Sequence, residues 1–387
     1  MTGLTEARAL ARHGVAVVGV DRALRRYTSH SSAWTAVVTT PAFQSADLVP
    51  ELLDLARSLP QPPLLFISTD EQVKLVSKQQ TALREAYRFH FPPSDSVDLL
   101  MSKTAFTERA EREGWPIPRT ARVASRVELA SLSLRFPVII KPGVRHLATR
   151  RGIAQKAFRA DDRAALERAY LEIAAFEPEV VVQEWIPGRD ADVYFSFHYF
   201  DESMRELGAF VGRKLRQWAP EVGSTSLAEP AHEPHLADTA RRILQSVASS
   251  GFCSVEYKRD ARDGRFLITE PTVGRVNLQV GLAIANGVDL VSRAYFALAG
   301  LPAVIERPPA RPRRWIWFGN DWKSARHYMR QGQLGLPGYL GSLRGPKVHA
   351  VWHPRDFRLI RRAMAEACTR LPRALARRLG LSRRGGR

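Results

Sequence analysis

Two acidic residues end neighbouring strand-like segments in the second half of the chain. Glu256 follows the apolar stretch FCSV and Glu270 follows RFLIT, with a short Arg-Asp-Gly turn between the two segments. The two ends can lie side by side in a hairpin, where adjacent carboxylates repel each other unless a cation lies between them. Carboxylate oxygens suit Mg²⁺ that is held together with nucleotide phosphates. The pair therefore indicates a metal site, and two exposed acids at a sheet edge are the alternative.

Cationic and amide side chains accompany these acids. Lys141 ends the apolar segment FPVII, and a lysine at the mouth of a strand provides a point charge for phosphate. The alternative is a side chain that only reaches solvent from the strand end. Arg275 and Asn277 follow the second carboxylate, after a glycine that permits a tight turn.

The segment QEWIPGRD, residues 183–190, contains the groups that a nucleoside needs. It leaves a buried strand-like run, VVV, and carries an amide, apolar residues and a carboxylate. Side-chain and backbone hydrogen bonds suit the edge of an adenine ring, and an acid accepts hydrogen bonds from ribose hydroxyls. A solvated turn is the alternative.

The chain resembles the ATP-grasp superfamily of carboxylate–amine ligases in the order of Lys103 (in SKTAFTERAEREG), Lys141, QEWIPGRD, Glu256 and Glu270. The resemblance covers about residues 5 to 300. It is closer to the predicted ligases of bacterial cell-surface polymer pathways than to D-alanine–D-alanine ligase or biotin carboxylase. It implies ATP and Mg²⁺ as cofactors, with Mn²⁺ as an alternative metal. It also implies that ATP phosphorylates a substrate carboxylate and that an amine attacks the acyl phosphate, which gives an amide or peptide-type bond, ADP and phosphate.

The resemblance also implies roles by position. The ATP-contacting set would comprise Lys103, Lys141, Lys156, Gln183, the backbones of Glu184 and Ile186, and Asp190. The lysines would bind phosphates, the next three residues adenine and the last residue ribose. The metal ligands would be Glu256 and Glu270. The groups that bind the carboxylate substrate or the transferring phosphoryl group would be Arg213, Lys214 and Arg275.

Two positions depart from the superfamily pattern. A Glu-x-Asn metal pair is usual, whereas this chain has Glu270-Pro271-Thr272. Either Asn277 replaces the missing amide or the second metal binds more weakly. The loop that covers the phosphates, KPGVRHLATRRGIAQK, is richer in Arg and His than in Gly, so arginine side chains would replace part of the backbone contacts.

Alternating strand and helix signals over residues 1–98 predict a supporting α/β layer. Apolar runs at 15–20, 36–39 and 64–67 are typical of buried parallel strands, and helix-like stretches cover 46–58 and 70–88. This rhythm predicts a Rossmann-like domain. Because the chain opens on helix-like sequence, the first strand of the layer is expected to be missing.

Residues 99–303 carry most site candidates and predict an α+β region. The resemblance implies that this region is an ATP-grasp domain with two lobes and the nucleotide between them. Helices are expected at 102–114, 161–176, 237–249 and 279–299, and strands at 136–140, 180–183, 192–200, 207–213, 252–257 and 265–270. A proline-rich linker leads to a basic extension at 304–387 that is rich in Trp and Arg. The predicted fold class is therefore α/β and α+β.

Positive charge is concentrated at the C-terminal end. The chain has 58 Lys and Arg against 39 Asp and Glu, a net charge of +19, and residues 305–387 contain 20 of these bases and four of the acids. A basic amphipathic helix there would contact an anionic membrane or an acidic partner, and a docked helix with a solvated basic face is the alternative. No nucleic-acid partner is expected, because the first 304 residues are nearly neutral and carry no recognition motif.

Composition narrows the location and the class of protein. Two cysteines are too few for a disulfide scaffold or a four-thiolate zinc site, and they fit a cytoplasmic setting, with a peripheral position at a membrane left open. Small-molecule or polymer-end carboxylates and amines are the expected substrates, and a homodimer is left open. The alternatives to a ligase are a regulatory nucleotide-binding protein of the same fold and a basic binder of nucleic acid or membrane surfaces.

Overall fold

The computed structural model describes residues 1–24, 27–43, 45–142, 158–175, 179–221, 223–303 and 306–366. It divides into two compact units. The first contains Met1–His90, Ser224–Pro230 and the chain from Arg275 onward, and the second contains Phe91–Gly223 and Ala231–Gly274. These units differ from the predicted segments 1–98, 99–303 and 304–387, because the helices that follow Arg275 pack on the first helix of the chain.

The N-terminal part of the first unit has a parallel pair of strands and four helices among the described residues. The strands are β1 (Val18–Asp21) and β2 (Ala36–Thr39). The helices are α1 (Thr2–Ala11), α2 (Leu48–Ser58), α3 (Asp70–Lys78) and α4 (Gln80–Arg84). The predicted strand at 64–67 forms only an isolated bridge from Leu64 to Arg88. Pro62 and Pro63 precede it and lack the amide hydrogens that a longer ladder needs.

The second unit contains an antiparallel sheet in the order β3-β6-β4-β5. Its strands are β3 (Thr120–Val123), β4 (Val138–Pro142), β5 (Phe158–Ala160) and β6 (Val180–Glu184). The helices of this region are α5 (Ser94–Met101), α6 (Lys103–Glu113), α7 (Arg126–Ser131) and α8 (Arg163–Ala174). Helix α8 packs Leu166, Tyr170 and Ile173 against one face of the sheet, because their spacing places them on one side of the helix. The opposite face of the sheet carries Ile139 and Lys141 of β4 and Val181 and Gln183 of β6.

A second antiparallel arrangement in this unit has the order β11-β10-β7-β8. Its strands are β7 (Val193–Phe200), β8 (Glu206–Trp218), β10 (Gly251–Arg259) and β11 (Phe266–Val273), and β9 (Ser224–Pro230) belongs to the first unit. Helix α9 (Pro234–Ser246) covers one face, burying Leu236, Ala240 and Ile243. Tyr257 ties the sheet to this helix through its hydroxyl, which donates to the Leu236 carbonyl at 3.0 Å.

The rest of the first unit follows Arg275. Its elements are α10 (Val280–Ala285), α11 (Leu290–Ala299), β12 (Arg314–Ile316), α12 (Phe318–Arg330), α13 (Leu336–Ser342), β13 (Lys347–His349) and a final helix α14 over 357–366. The helix predicted at 279–299 is two helices, because Gly287 adopts a φ of 87° that ends the first one. Strand β12 pairs with β9 and with β13. No helix in the described ranges is long and apolar enough to cross a bilayer.

Asp356 joins distant parts of the first unit. Its carboxylate accepts hydrogen bonds from Arg8 Nη2 at 2.7 Å, from the Ser31 hydroxyl at 2.5 Å and from the amide of Leu359 in α14 at 3.3 Å. Burial raises the pKa of this carboxyl, but the hydrogen bonds lower it by more, to about 2. The ionised carboxylate therefore holds α1 and the start of α14 together.

Candidate functional site

The hairpin of β10 and β11 places two carboxylates opposite each other. Glu256 and Glu270 are direct cross-strand partners, which confirms the adjacency expected from the sequence. The register shifts by one residue beside them, and Thr269 is the extra residue of this bulge. Its hydroxyl lies 3.2 Å from the carbonyl oxygen of Glu256 and 3.3 Å from its Oε1. The bulge thereby fixes the direction of one carboxylate of the pair.

A buried lysine lies beside this pair. Lys214 of β8 is 5% exposed, and its ammonium lies 2.7 Å from Glu256 Oε2. The strand registers explain the contact, because Glu256 pairs with Phe195 of β7 and Phe195 pairs with Gly212, two residues before Lys214. Residues two apart on a strand share a face, so both side chains project from the same side of the sheet. The ammonium supplies the positive charge that two neighbouring carboxylates require.

Hydrogen bonds continue from this lysine to the end of β8. The Lys214 ammonium donates to Gln217 Oε1 at 3.1 Å, and the Gln217 side-chain amide donates to Asp190 Oδ1 at 2.8 Å. Asp190 is buried, and it also accepts from the backbone amides of Gln217 at 3.3 Å and Glu221 at 3.0 Å. One polar path therefore connects the predicted metal ligand Glu256 with the predicted ribose acceptor.

The other sheet of this unit brings Lys141 and Gln183 together. The Lys141 ammonium lies 3.4 Å from Gln183 Oε1, and the Gln183 amide donates to Thr120 Oγ1 at 3.0 Å. The pairing of β4 with β6, in which Ile139 is the partner of Gln183, places both side chains on the face opposite α8. The predicted phosphate-binding lysine and the predicted adenine-binding amide are thus neighbours.

The backbone after β6 leaves the amide of Ile186 available to a ligand. The amide of Glu184 donates to the carbonyl of Arg119, and that of Trp185 donates to the carbonyl just before β4, both at 2.9 Å. The amide of Ile186, a buried residue, has no acceptor in the ranges that the structure describes. The Glu184 carboxylate is buried and accepts from the backbone and the guanidinium of Arg135, so this side chain fixes the strand end.

Two cations flank the indole of Trp185. The guanidinium carbon of Arg159 lies 5.2 Å from the ring centroid, and the Lys258 ammonium lies 4.5 Å from it. Burial lowers the pKa of Lys258, and nearby acids, first of all Glu221, oppose this effect. Lys258 is not among the residues predicted from the sequence. Its position two residues after Glu256 on an apolar strand was the signal for it, since alternation places both side chains on one face.

Two further predicted residues lie on α6 and β8. Lys103 is the first residue of α6 and is exposed. Arg213 is half-buried in β8 and is the cross-strand partner of Tyr194. Lys156 lies outside the described residues, together with most of the predicted phosphate loop.

Arg275 and Asn277 belong to the first unit. Arg275 Nε lies 2.5 Å from Asp70 Oδ1, and Asn277 lies in the turn before α10. Thr272 stands where the Glu-x-Asn pattern would have an asparagine, and it is the cross-strand partner of Ser254. Alternation places both hydroxyl groups on the same face of the hairpin as the two carboxylates.

The paired carboxylates fit a divalent cation that takes only some of its ligands from the protein. Glu256 and Glu270 present hard oxygen ligands at one place, and the ammonium of Lys214 is already accepted there. No cluster of three or more His, Cys, Asp or Glu side chains that could hold a metal is found in the part of the chain that the structure describes. Such a donor set suits Mg²⁺ that takes its remaining ligands from phosphates and water.

Comparison with known proteins gives two curated relatives and many similar structures, while no family model matches the chain. A D-aspartate ligase of Enterococcus faecium (strain Aus0004) is 25% identical over 242 residues, which cover 59% of this chain and 56% of the relative. A D-alanine–D-alanine ligase of Stutzerimonas stutzeri (strain A1501) is 26% identical over 205 residues, covering 51% of this chain and 60% of the relative. The match thus spans less than two thirds of either relative.

A solved structure extends the likeness over more of the chain. The N5-carboxyaminoimidazole synthetase of Staphylococcus aureus in complex with ADP superimposes with a TM-score of 0.61 and 13% identity, covering 85% of this chain and 83% of that one. At this level of identity the likeness concerns the fold alone. It confirms the fold that the order of residues in the sequence implied.

Proposed function

The chain has the ATP-grasp fold, and on this premise we propose that it is an ATP-dependent carboxylate–amine ligase. The observation that carries the proposal is the facing pair Glu256 and Glu270 with the buried ammonium of Lys214 beside it. Such an arrangement suits a site where a metal ion and phosphate replace an internal ion pair. Ligation is supported further by the two curated relatives, because both are named ligases.

The nucleoside is proposed to bind at the end of β6. The amide of Ile186 is a donor of the kind that a ring nitrogen of adenine accepts, and the backbone of Glu184 lies beside it. Gln183 would contact the same ring, next to Lys141. Asp190 remains the proposed ribose acceptor. Its carboxylate would accept a hydrogen bond from a ribose hydroxyl in addition to those that it accepts from Gln217 and Glu221.

The phosphates are proposed to lie among basic side chains, with the metal on the hairpin. Lys141, Lys103 and Lys156 are the proposed phosphate contacts, and Glu256 and Glu270 are the proposed metal ligands. Asn277 is the proposed third ligand. Mg²⁺ is the expected ion, with Mn²⁺ as an alternative, and when bound it would neutralise charge on the phosphates.

The chemistry needs no side-chain nucleophile. A substrate carboxylate would attack the γ-phosphorus of ATP and release ADP, and an amine would then displace phosphate from the acyl phosphate to form an amide bond. Lys214, Arg213 and Arg275 are proposed to bind the carboxylate or the transferring phosphoryl group. Their positive charges would oppose the negative charge that spreads over the phosphoryl oxygens.

The proposed substrates are a carboxylate and an amine, either small molecules or polymer ends. The relatives named as D-aspartate and D-alanine–D-alanine ligases favour amino acids for the first trials. A bacterial cell-surface polymer pathway is a further proposal that rests on the resemblance. A cytoplasmic location is proposed from the low cysteine content, and a homodimer is left open.

The test is a screen for ADP release from MgATP with amino-acid carboxylates paired with amines. We expect turnover that needs both substrates, and a loss of about 100-fold or more in Glu270→Gln and in Lys141→Met, since each removes a charge that acts on the phosphates. Asp263→Asn is the matched control, because this acid lies in the same hairpin but pairs with Arg265 at its exposed turn.

Two outcomes would contradict the proposal. Parent-like turnover in both site variants would show that the site assignment is wrong. ATP binding without turnover for every substrate pair would favour the regulatory nucleotide-binding alternative, and the binding affinity of Lys141→Met would then show whether the nucleotide site itself is correctly placed.

A further inference from the structure

Large apolar side chains are exposed mainly near the C-terminal end of the described chain. Among the described residues, twelve large hydrophobic side chains are exposed, and eight of them lie between Leu301 and Met364. These eight include all of the exposed aromatic side chains, namely Phe318, Trp322, Trp352 and Phe357. Exposed apolar groups that gather in one region mark an interaction surface more often than scattered ones do.

Helices α12 and α13 carry the most compact part of this region. Phe318 and Trp322 are one turn apart on α12 and are 52% and 43% exposed. The Trp322 ring lies 5.6 Å from that of Tyr339 in α13, and one turn of α13 separates the exposed Leu336 and Leu340. We call these four exposed side chains and the basic residues around them the α12–α13 face.

The charge of the α12–α13 face is entirely positive. Arg326 and Arg330 continue the row of Phe318 and Trp322 at intervals of four residues along α12, so aromatic and basic side chains share one stripe. The other exposed bases of the face are Lys323 and Arg344. Asp321 is the single acid in residues 318–345, and it is fully buried.

None of the exposed bases on α12 is neutralised internally. Lys323, Arg326 and Arg330 form no ion pair with an acid in the ranges that the structure describes. Asp321, Ser324 and Ala325 are the buried residues of this helix, and Ser324 lies opposite the stripe.

We propose that the α12–α13 face docks the protein on an anionic lipid bilayer. Aromatic and leucine side chains at the level of the headgroups, with arginines beside them, are the pattern of proteins that lie on such membranes. A second copy of the chain is disfavoured, because self-association through this face would bring like charges together. Nucleic acid would use the arginines but leave Leu336 and Leu340 exposed to water. The proposal concerns attachment and goes beyond the ligase activity.

Co-sedimentation of the full chain with lipid vesicles tests the proposal. We expect binding to vesicles of phosphatidylcholine with phosphatidylglycerol, weaker binding at high salt, and little binding to phosphatidylcholine alone. The double variants Trp322→Ser/Leu340→Ser and Arg326→Glu/Arg330→Glu should each bind at least roughly tenfold more weakly. Their exposed positions should leave the fold intact, which circular dichroism and thermal unfolding would verify.

Matched controls lie in the other unit. Val127→Ser/Leu171→Ser changes two exposed apolar side chains, and Arg168→Glu reverses an exposed charge on α8, so both variants should bind like the parent. Equal binding to neutral and anionic vesicles, or parent-like binding by both face variants, would overturn the proposal. The proposal would also be overturned if no form of the protein binds vesicles and the face variants abolish a dimer or a complex with an oligonucleotide instead.

Discussion

Replacing Lys214 by methionine should separate two roles of its ammonium group. This ammonium lies 2.7 Å from Glu256 Oε2, with 6% of the lysine side chain and 32% of the glutamate side chain exposed. Breaking a fully buried pair costs about 3–5 kcal/mol, whereas an exposed pair contributes about 0–1 kcal/mol. Because one partner is one third exposed, we expect an intermediate loss of about 2 kcal/mol, which lowers Tm by roughly 4–8 °C.

The same substitution should have opposite effects on the affinity for the metal alone and on the affinity for the nucleotide. Without the ammonium, Glu256 and Glu270 retain their mutual repulsion, so Mn²⁺ added alone should bind roughly tenfold more tightly, equivalent to about 1.4 kcal/mol. MgATP should bind more weakly, because a cation proposed to face the phosphates is lost. Calorimetric titration of each ligand, with thermal unfolding as a function of Mn²⁺, measures both effects.

Lys258→Met is the control for this experiment. Lys258 is a second buried lysine on the same face of the sheet, but its ammonium lies over the Trp185 ring rather than against Glu256. It should therefore leave the affinity for Mn²⁺ alone unchanged. If Lys214→Met binds Mn²⁺ no better than the parent, the ammonium does not compete with a metal at the hairpin and the reasoning fails.

Two further predictions concern pH and the first unit. The pKa of Asp356 is about 2 in the folded protein, below its unfolded value of 3.8. Its contribution to the free energy of unfolding is therefore complete above pH 3.8 and is lost as the pH falls towards 2. Asp356→Asn should thus lower the unfolding free energy by about 2 kcal/mol at pH 7 and by less at pH 3, as measured by urea unfolding, whereas the exposed Asp54→Asn should change little at either pH. Burial raises the pKa of Glu6 from 4.5 to about 7, against the opposing hydrogen bond from Ser68, so its stabilisation is complete below 4.5 and is lost as the pH rises through 7. Between pH 4.5 and pH 9 the free energy of unfolding of Glu6→Gln should therefore fall by about 3 kcal/mol less than that of the parent. An unchanged pH profile would contradict the burial of an acid at this position.

Local patterns in the sequence were sufficient for the hairpin and its acids. Apolar segments on both sides of a short turn predict an antiparallel pair whose ends bring Glu256 and Glu270 near each other. Their direct pairing depends on the bulge at Thr269, because an unbroken register from the turn would pair Glu256 with Thr269 instead. The strand at 36–39 and the helix that starts at Lys103 after the Ser102 cap are also where local signals predict them.

Contacts between strands far apart in the chain were not accessible to the same reasoning. The approach of Lys214 to Glu256 depends on two successive registers through β7, and a shift of one residue in either would turn the lysine to the other face. The hydrogen bonds of Asp190 to Gln217 and Glu221 have the same origin. The resemblance to a superfamily supplied Lys214 as a candidate, but its internal partner emerges only from the assembled sheet.

The first unit is assembled from three separated stretches of chain, and this has a consequence for synthesis. The hydrogen bond between Arg8 and Asp356 spans 348 residues, so α1 must wait until Asp356 has left the ribosome before it can acquire this partner. The second unit, whose two stretches lie between those of the first, emerges earlier. Nascent chains should therefore protect the interior stretches from protease before the N-terminal residues, which inverts the usual order of folding during translation.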